Sequence, residues 1–314
     1  MGEPEVMGVE DVVTPTAGEG DALVRLDAAG VNFIDVNQRS GAYPISLPFT
    51  PGLEGAGVVE SIGPGVGEVS VGDRVAFAGV PEAYGEYVAV RATRLLPVPD
   101  AVDGETAAAV MLQGMTAHYL VRSVFPAAEG DWCLVQAAAG GVGLLLTQLA
   151  RRAGLRVIGT VSSPEKAELA RDAGAEHVVN YAEEDFAEAV RDHTEGAGVR
   201  AVYESVGKST FDKSLGVLAP RGYMVLFGQA SGPVSPVDPR RLQQGGSLYL
   251  TRPALVDYTR TREELLWRGM EVLGLVGSGE LRVHVHHRYP LEHAPEAHRA
   301  LQGRQTAGKL ILIP

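Results

Sequence analysis

The segment Gln136-Ala137-Ala138-Ala139-Gly140-Gly141-Val142-Gly143 has the spacing with the clearest chemical meaning in this sequence. Gly140 and Gly143 hold the last two positions of a G-x-G-x-x-G pattern, with Ala138 in the first. Small residues at this spacing let a backbone pass beneath a pyrophosphate. A helix opening at the same point adds free N–H groups and a positive dipole end. The flanks meet that condition: residues 132–136 read as a strand and residues 142–152 as a helix. The turn therefore predicts a dinucleotide site, and a ligand-free tight turn is the plainer alternative.

The end of the next strand bears on which dinucleotide. A site for NAD places Asp or Glu about 20 residues beyond the glycines, to hold the ribose diol. Here the chain reads Gly159-Thr160-Val161-Ser162-Ser163-Pro164-Glu165-Lys166. Neutral hydroxyls occupy the strand end and Lys166 follows in the first turn of a helix. A carboxylate there would repel a 2′-phosphate, whereas Ser and Lys accept one. This favours NADPH over NADH, although Lys166 taken alone reads more readily as an exposed helix lysine.

Other chemistries are poorly supplied. The single cysteine, Cys133, allows no internal disulfide and no cysteine-rich zinc site, and its setting reads as a buried strand. Of eight histidines, His284, His286 and His287 fall on one expected strand, where only His284 and His286 share a face, and two ligands without a third read as surface residues. No Ser-His-Asp arrangement stands out. Lys plus Arg (27) against Asp plus Glu (39) gives a net charge of −12, which repels nucleic acid and anionic membranes. Apolar runs fall well short of the roughly 18–20 residues of a membrane span. Residues 1–13 are acidic and lack the basic start of a signal peptide, so a cytoplasmic location is expected.

These residues need a frame. The first third is dense in Gly and Pro between short β-branched runs, which predicts a twisted, largely antiparallel β unit. Residues 104–125 suit helices. From 131 onward strand and helix alternate: strands at 132–136, 156–160, 177–179, 201–203 and 223–227, with helices near 142–152, 164–173, 186–192 and 209–218. Alternation of this kind predicts a doubly wound parallel α/β sheet with right-handed crossovers. A long amphipathic helix at 262–277 and strands at 284–288 and 309–313 follow.

Together with Ala29-Gly30-Val31-Asn32-Phe33-Ile34-Asp35, Pro51-Gly52-Leu53-Glu54-Gly55-Ala56-Gly57, Val71-Gly72-Asp73-Arg74-Val75, Tyr203-Glu204-Ser205-Val206-Gly207, Gly246–Pro253 and Gly308-Lys309, the glycine turn is similar to the quinone oxidoreductase (zeta-crystallin-like) branch of the medium-chain dehydrogenase/reductase superfamily. The resemblance covers nearly the whole chain. It implies a GroES-like β-rich catalytic domain from residues 1–113 and 254–314, a Rossmann domain over 114–253, and an active site in the cleft. It further implies a homodimer joined near residues 247–250. Zinc-dependent relatives carry Cys and His in the loop where this chain has Asn32 to Asp35, and His where it has Leu53, so a zinc-free enzyme is implied.

Carried over by resemblance, Asn32 would lie near the nicotinamide ribose and Gly140, Gly141, Val142 and Gly143 at the pyrophosphate. Ser162 and Lys166 would meet the 2′-phosphate, with Tyr181 near the adenosine. Ser205, Phe227 and Gly228 would line later strand ends, and Lys309 or Arg304 would approach from the tail. Asn32, Asn37, Tyr43 and Gln113 are the candidate catalytic polar groups. Two departures stand out: related chains commonly carry a further strand before the Gly2-Glu3-Pro4-Glu5-Val6 segment, and Asn37 replaces a Tyr frequent in bacterial relatives. The implied reaction is NADPH-dependent reduction of a quinone or similar electron-poor carbonyl. The alternatives are an enone or alkenal double-bond reductase with the same cofactor, and a non-catalytic NADPH-binding structural or RNA-associating protein.

Overall fold

A computed structural model describes all of the chain, Met1 to Pro314, as two compact units. One comprises Met1–Met115 with Tyr258–Pro314, the other Thr116–Asp257.

In the first unit β1 (Asp21–Val31) leads into helix α1 (Phe33–Ser40), followed by β2 (Glu54–Ile62), β3 (Arg74–Ala78), β4 (Tyr87–Arg91), β5 (Leu96–Pro97) and the start of helix α2 (Gly104–Arg122). The second unit runs β6 (Trp132–Val135), α3 (Gly141–Arg152), β7 (Arg156–Val161), α4 (Pro164–Asp172), β8 (His177–Asn180), α5 (Phe186–His193), β9 (Val199–Glu204), α6 (Phe211–Leu215), β10 (Leu218–Leu226), α7 (Pro239–Gln244) and β11 (Tyr249–Thr251). The chain then returns to the first unit with α8 (Arg262–Gly277), β12 (Val285–Pro290), α9 (Ala294–Gln302) and β13 (Lys309–Ile313).

The first unit holds one sheet in the order β12-β13-β1-β2-β3-β5, with β4 also on β1. Strand β1 is long enough to serve two partners along one edge. Its first half pairs with β4 (Asp21 with Arg91) and its second with β13 (Ala29 with Leu312). Two register shifts against β2 bend it between these partners. Val24, Leu26, Val31, Val59, Phe77, Val88, Leu95, Leu310 and Leu312 form the core it encloses. Helix α1 is a correction to the expected loop at 32–35. Asn32 stands at its N-cap, where its N–H donates to the Asp35 carboxylate at 2.8 Å, a local bond that favours a helix start.

The second unit is an all-parallel sheet ordered β11-β10-β9-β6-β7-β8. The order runs outward both ways from the β6/β9 pair, so the turn after β6 sits at a topological switch point, where such sheets bind ligands at strand C-termini. Strands β6, β7 and β9 are buried through their length, as expected with helices on both faces. Capping residues start the helices: Ser163 before Pro164, Asp185 before α5, Asp238 before α7. The expected helix at 209–218 is shorter, because Leu218 already pairs with Val199 in β10. Arg221, in a left-handed conformation beside Gly222, accounts for the register shift that hid this strand start. No helix is long and apolar enough to cross a membrane.

Candidate active site

In the second unit the glycine turn is compact. Ala137 adopts φ +53°, a left-handed conformation unusual without glycine, and its carbonyl accepts from Gly140 N at 2.9 Å. A Cβ on Gly143 would lie 2.3 Å from that same carbonyl, so only glycine lets α3 approach the strand this closely. Ala138 stands in a glycine position because Gly159 on β7 makes room: a Cβ there would meet the Ala138 methyl at 2.7 Å. Leu144 N to Gly140 O is the first helical bond, and Gly140 brings no side-chain cap. The N–H groups of Gly141, Val142 and Gly143 therefore lead the helix and are free to meet an anion.

At the end of β7, Ser162 is half-buried and Lys166 stands at the third position of α4, whose cap is the Ser163 hydroxyl. Glu165, the nearest acid, is held below the usual carboxylate range by its hydrogen bond with Ser163, within the helix cap. Tyr181 N donates to Val161 O at 3.1 Å, so Tyr181, 45% exposed, shares this corner. Ser205, Phe227 and Gly228 also converge. The Ser205 hydroxyl donates to Gln136 O at 3.1 Å, and Phe227 N and Gly228 N both donate to Glu204 O. A Cβ on Gly228 would meet Ser205 O at 2.7 Å. Residues read separately from the sequence are thus gathered at the strand C-termini, and this donor set suits a phosphorylated dinucleotide.

The first unit gathers a second set. Asn32, 4% exposed, uses its whole amide: Nδ2 donates to Glu54 Oε2 (2.9 Å) and Gly30 O (3.2 Å), while Oδ1 accepts from Lys309 Nζ (2.8 Å) and Gln113 Nε2 (3.2 Å). Lys309 also pairs closely with Glu54 Oε2, and the two side chains are 1% and 0% exposed. Glu54 Oε1 accepts from Leu112 N of α2 at 2.6 Å. Gly30 has to be glycine, since a Cβ would fall 2.2 Å from Glu54 Oε2 and 2.8 Å from Ala108 O. Because carboxylate and ammonium face opposite ends of the Asn32 amide, its orientation is forced, and so in turn is that of Gln113. Gln113 Oε1 is buried and accepts no bond. Asn37 and Tyr43 stand at the other end of α1, joined by Tyr43 N to Asn37 O at 3.0 Å, and both are half-buried. Arg304 is exposed, in the loop before β13.

Behind Asn32 lies a third group absent from sequence expectation. Asp35 accepts from Tyr84 Oη at 3.1 Å, and Tyr84 Oη stands 3.0 Å from His298 Nε2. Burial pushes the Asp35 carboxyl up to about 7, with hydrogen bonding from Asn32 acting against it. Burial drives His298 down to about 3. Nothing in the linear sequence places Tyr84 or His298 beside Asp35; only the fold does.

A parallel sheet with a glycine turn at its switch point, joined in one chain to a β unit that both opens and closes the sequence, defines a medium-chain dehydrogenase/reductase. Residues 18–100 match the family model described as alcohol dehydrogenase GroES-like domain, and residues 141–264 that of zinc-binding dehydrogenase. The chain is 45% identical to a quinone oxidoreductase of Pseudomonas aeruginosa, covering 100% of this chain and 97% of that one. It is 41% identical to a 2-haloacrylate reductase of a Burkholderia species, covering 100% and 96%. The crystal structure of Escherichia coli quinone oxidoreductase complexed with NADPH superposes with a TM-score of 0.97 at 42% identity, covering 100% of this chain and 97% of that one. The chain belongs to the quinone oxidoreductase family, the zinc-free branch of that superfamily.

Its residues do not fit zinc, despite the description of one matching model. No group of three His, Cys, Asp or Glu side chains is placed to hold a metal ion. Cys133 is buried in β6, its thiol pushed up to about 12 by burial. Lys309 brings a cation of the protein's own against Glu54.

Proposed function

We propose that this chain is an NADPH-dependent quinone oxidoreductase that works without zinc. The observation that carries the reading is the pairing of three unencumbered amides at Gly141–Gly143 with a β7 end where Ser162 and Lys166 replace an acid. NADPH supplies two electrons as hydride, which with one proton convert a quinone to its hydroquinone. In this reading Gly140, Gly141, Val142 and Gly143 hold the pyrophosphate, Ser162 and Lys166 the 2′-phosphate, and Tyr181 the adenosine. Ser205, Phe227 and Gly228 bound the same site, and Arg304 adds an exposed cation from the loop before β13. A quinone is already electrophilic, so the protein's task is to place it and stabilise charge developing on oxygen. Asn32 and Lys309 serve that task indirectly, since the Asn32 amide has no capacity left. Gln113 keeps one Nε2 hydrogen and a free Oε1, which suits it to a carbonyl or hydroxyl of the acceptor. Asn37 and Tyr43 complete the polar set.

The test is an NADPH-oxidation screen against quinones and enones, repeated with NADH and with Lys166→Ala. NADPH preference that Lys166→Ala erodes is expected; NADH preference indifferent to that change overturns the cofactor reading. The likeness to a 2-haloacrylate reductase favours one second reading, reduction of an activated carbon–carbon double bond, and faster turnover of enones than quinones would select it.

The assembly we propose is a homodimer joined at β11. This strand pairs with β10 on one side and presents Tyr249, 52% exposed and stacked on Tyr223 at 4.5 Å. Light scattering that returns a monomer refutes it. A cytoplasmic location fits the acidic balance and the lack of a spanning helix.

A further inference from the structure

Four buried polar side chains beneath the glycine turn have no place in the reading above. Thr160, Gln136, Ser214 and Glu204 are each no more than 1% exposed and come from β7, the end of β6, α6 and β9. They form one chain of hydrogen bonds with a single direction. Thr160 Oγ1 donates to Gln136 Oε1 at 2.6 Å, Gln136 Nε2 to Ser214 Oγ at 3.0 Å, and Ser214 Oγ to Glu204 Oε2 at 2.8 Å.

The direction is imposed from the Glu204 end. Its carboxyl group also accepts from Val206 N (2.7 Å), Gly207 N (3.0 Å) and the Thr210 hydroxyl (2.9 Å), so donors meet both oxygens. Ser214 must therefore spend its hydrogen on Glu204 and accept from Gln136. That turns the Gln136 amide so that its oxygen faces Thr160, whose hydroxyl then gives its hydrogen away and keeps its lone pairs. Those lone pairs accept Ala137 N at 3.2 Å, while Thr160 O accepts Ala138 N at 2.9 Å. The far end of the chain thus satisfies the Ala137 amide, at the residue held in the left-handed conformation, next to the strand bond that holds Ala138.

We infer that Glu204, Ser214, Gln136 and Thr160 are a polarity relay that positions the glycine turn, and through it the three helix-leading amides, for the dinucleotide pyrophosphate. The four are positioning residues. None reaches the ligand, and their effect is on how the turn is held before a ligand arrives. A buried network of this kind keeps its geometry only while every member is satisfied, so an isosteric change in one member is felt at the turn. In Glu204→Gln the new amide N–H faces donors either way: at the Oε1 position the Val206 and Gly207 amides lose their acceptor, and at the Oε2 position Ser214 loses its own. In Thr160→Val the shape is kept and the hydroxyl is lost.

The inference rests on the dinucleotide reading, and the experiment separates the two. Dissociation constants for NADPH and NADH are measured by nucleotide fluorescence, with KM for nucleotide and quinone and a thermal melt for each variant. Because the pyrophosphate is common to both nucleotides, the relay is read on whichever the unaltered enzyme binds. Failure of that enzyme to prefer NADPH strikes the cofactor reading alone. Thr160→Val and Glu204→Gln are expected to weaken nucleotide binding on the order of tenfold, as for one lost buried hydrogen bond. Quinone KM stays within about twofold of wild type on the same reasoning, and Thr160→Ser restores nucleotide affinity. Nucleotide affinity unchanged in Thr160→Val, or nucleotide and quinone KM worsening together in proportion to lost melting temperature without rescue by serine, overturns the relay.

Discussion

Lys309→Met tests whether the buried ion pair organises the first unit. Opposite charges in direct contact at an effective dielectric near 20 attract by at least about 4 kcal/mol, and loss of hydration offsets much of it. Removing one partner is the costly event, about 3–5 kcal/mol, because the other charge stays buried. Glu54 would keep Leu112 N and Asn32 Nδ2 as donors, which places the loss near the lower limit, about 3 kcal/mol. Glu54→Gln should cost a similar amount by stranding the ammonium. The double variant Glu54→Gln/Lys309→Met leaves no buried charge and is expected to be more stable than either single variant. Urea unfolding at pH 7 is the assay. The chain has two tryptophans, Trp132 in the second unit and Trp267 in the first, so a Trp132→Phe background reports the first unit through Trp267. Single variants that each lose less than about 1 kcal/mol, and that add in the double, would refute the assignment of an organising role.

Asp35 and His298 give a pH prediction with opposed signs. The folded Asp35 value, about 7, lies above its ordinary 3.8, so its contribution is full below about pH 4 and is lost as pH rises through about 7. The folded His298 value, about 3, lies below 6.5, so its contribution is full above pH 6.5 and is lost as pH falls through about 3. Between roughly pH 4 and 6.5 the two slopes oppose, and Asp35→Asn should unmask a melting temperature that climbs with pH there; parallel profiles for variant and wild type would count against it. Gly159→Ala should cost about 1–3 kcal/mol because its new methyl meets Ala138 at 2.7 Å. Ala138→Gly in the same chain should recover most of that loss, and a melt showing no recovery would be incompatible with the contact. Cys133 should ignore an aromatic disulfide reagent until the protein unfolds, since its thiol is buried and pushed up to about 12.

The second unit was readable because its signals are local. Strand, glycine turn and helix follow one another in sequence, and Ser163 and Asp185 mark helix starts by hydrogen bonds to residues two or three positions on. Helix α8 and strand β13 lie at the expected residues for the same reason. Strand β1 was harder. Asp21–Val31 is buried on both faces over much of its length, so it lacks the alternation that marks a half-buried strand. Helix α1 hid behind a sequence likeness to a ligand-bearing loop. The polar networks were least legible, because Gln136, Thr160, Ser214, Tyr84 and His298 are unremarkable side chains whose partners lie 10 to 214 positions away. Only the folded chain reveals that Asn32 has spent its hydrogen-bonding capacity on its neighbours.

Strand β13 occupies an interior place in its sheet, between β12 and β1, and carries Lys309 to Asn32 across 277 positions. During synthesis, β1 and β2 leave the ribosome long before this partner exists, while Thr116–Asp257 emerges as one uninterrupted segment. The second unit is therefore the part able to fold on the nascent chain, with the first unit waiting half-assembled. Asn32 and Glu54 meet their cation last, so maturation of the first unit is timed by the arrival of strand β13. A chain interrupted before Lys309 would carry a finished second unit and a first unit with an open sheet edge, a species for chaperones rather than for turnover.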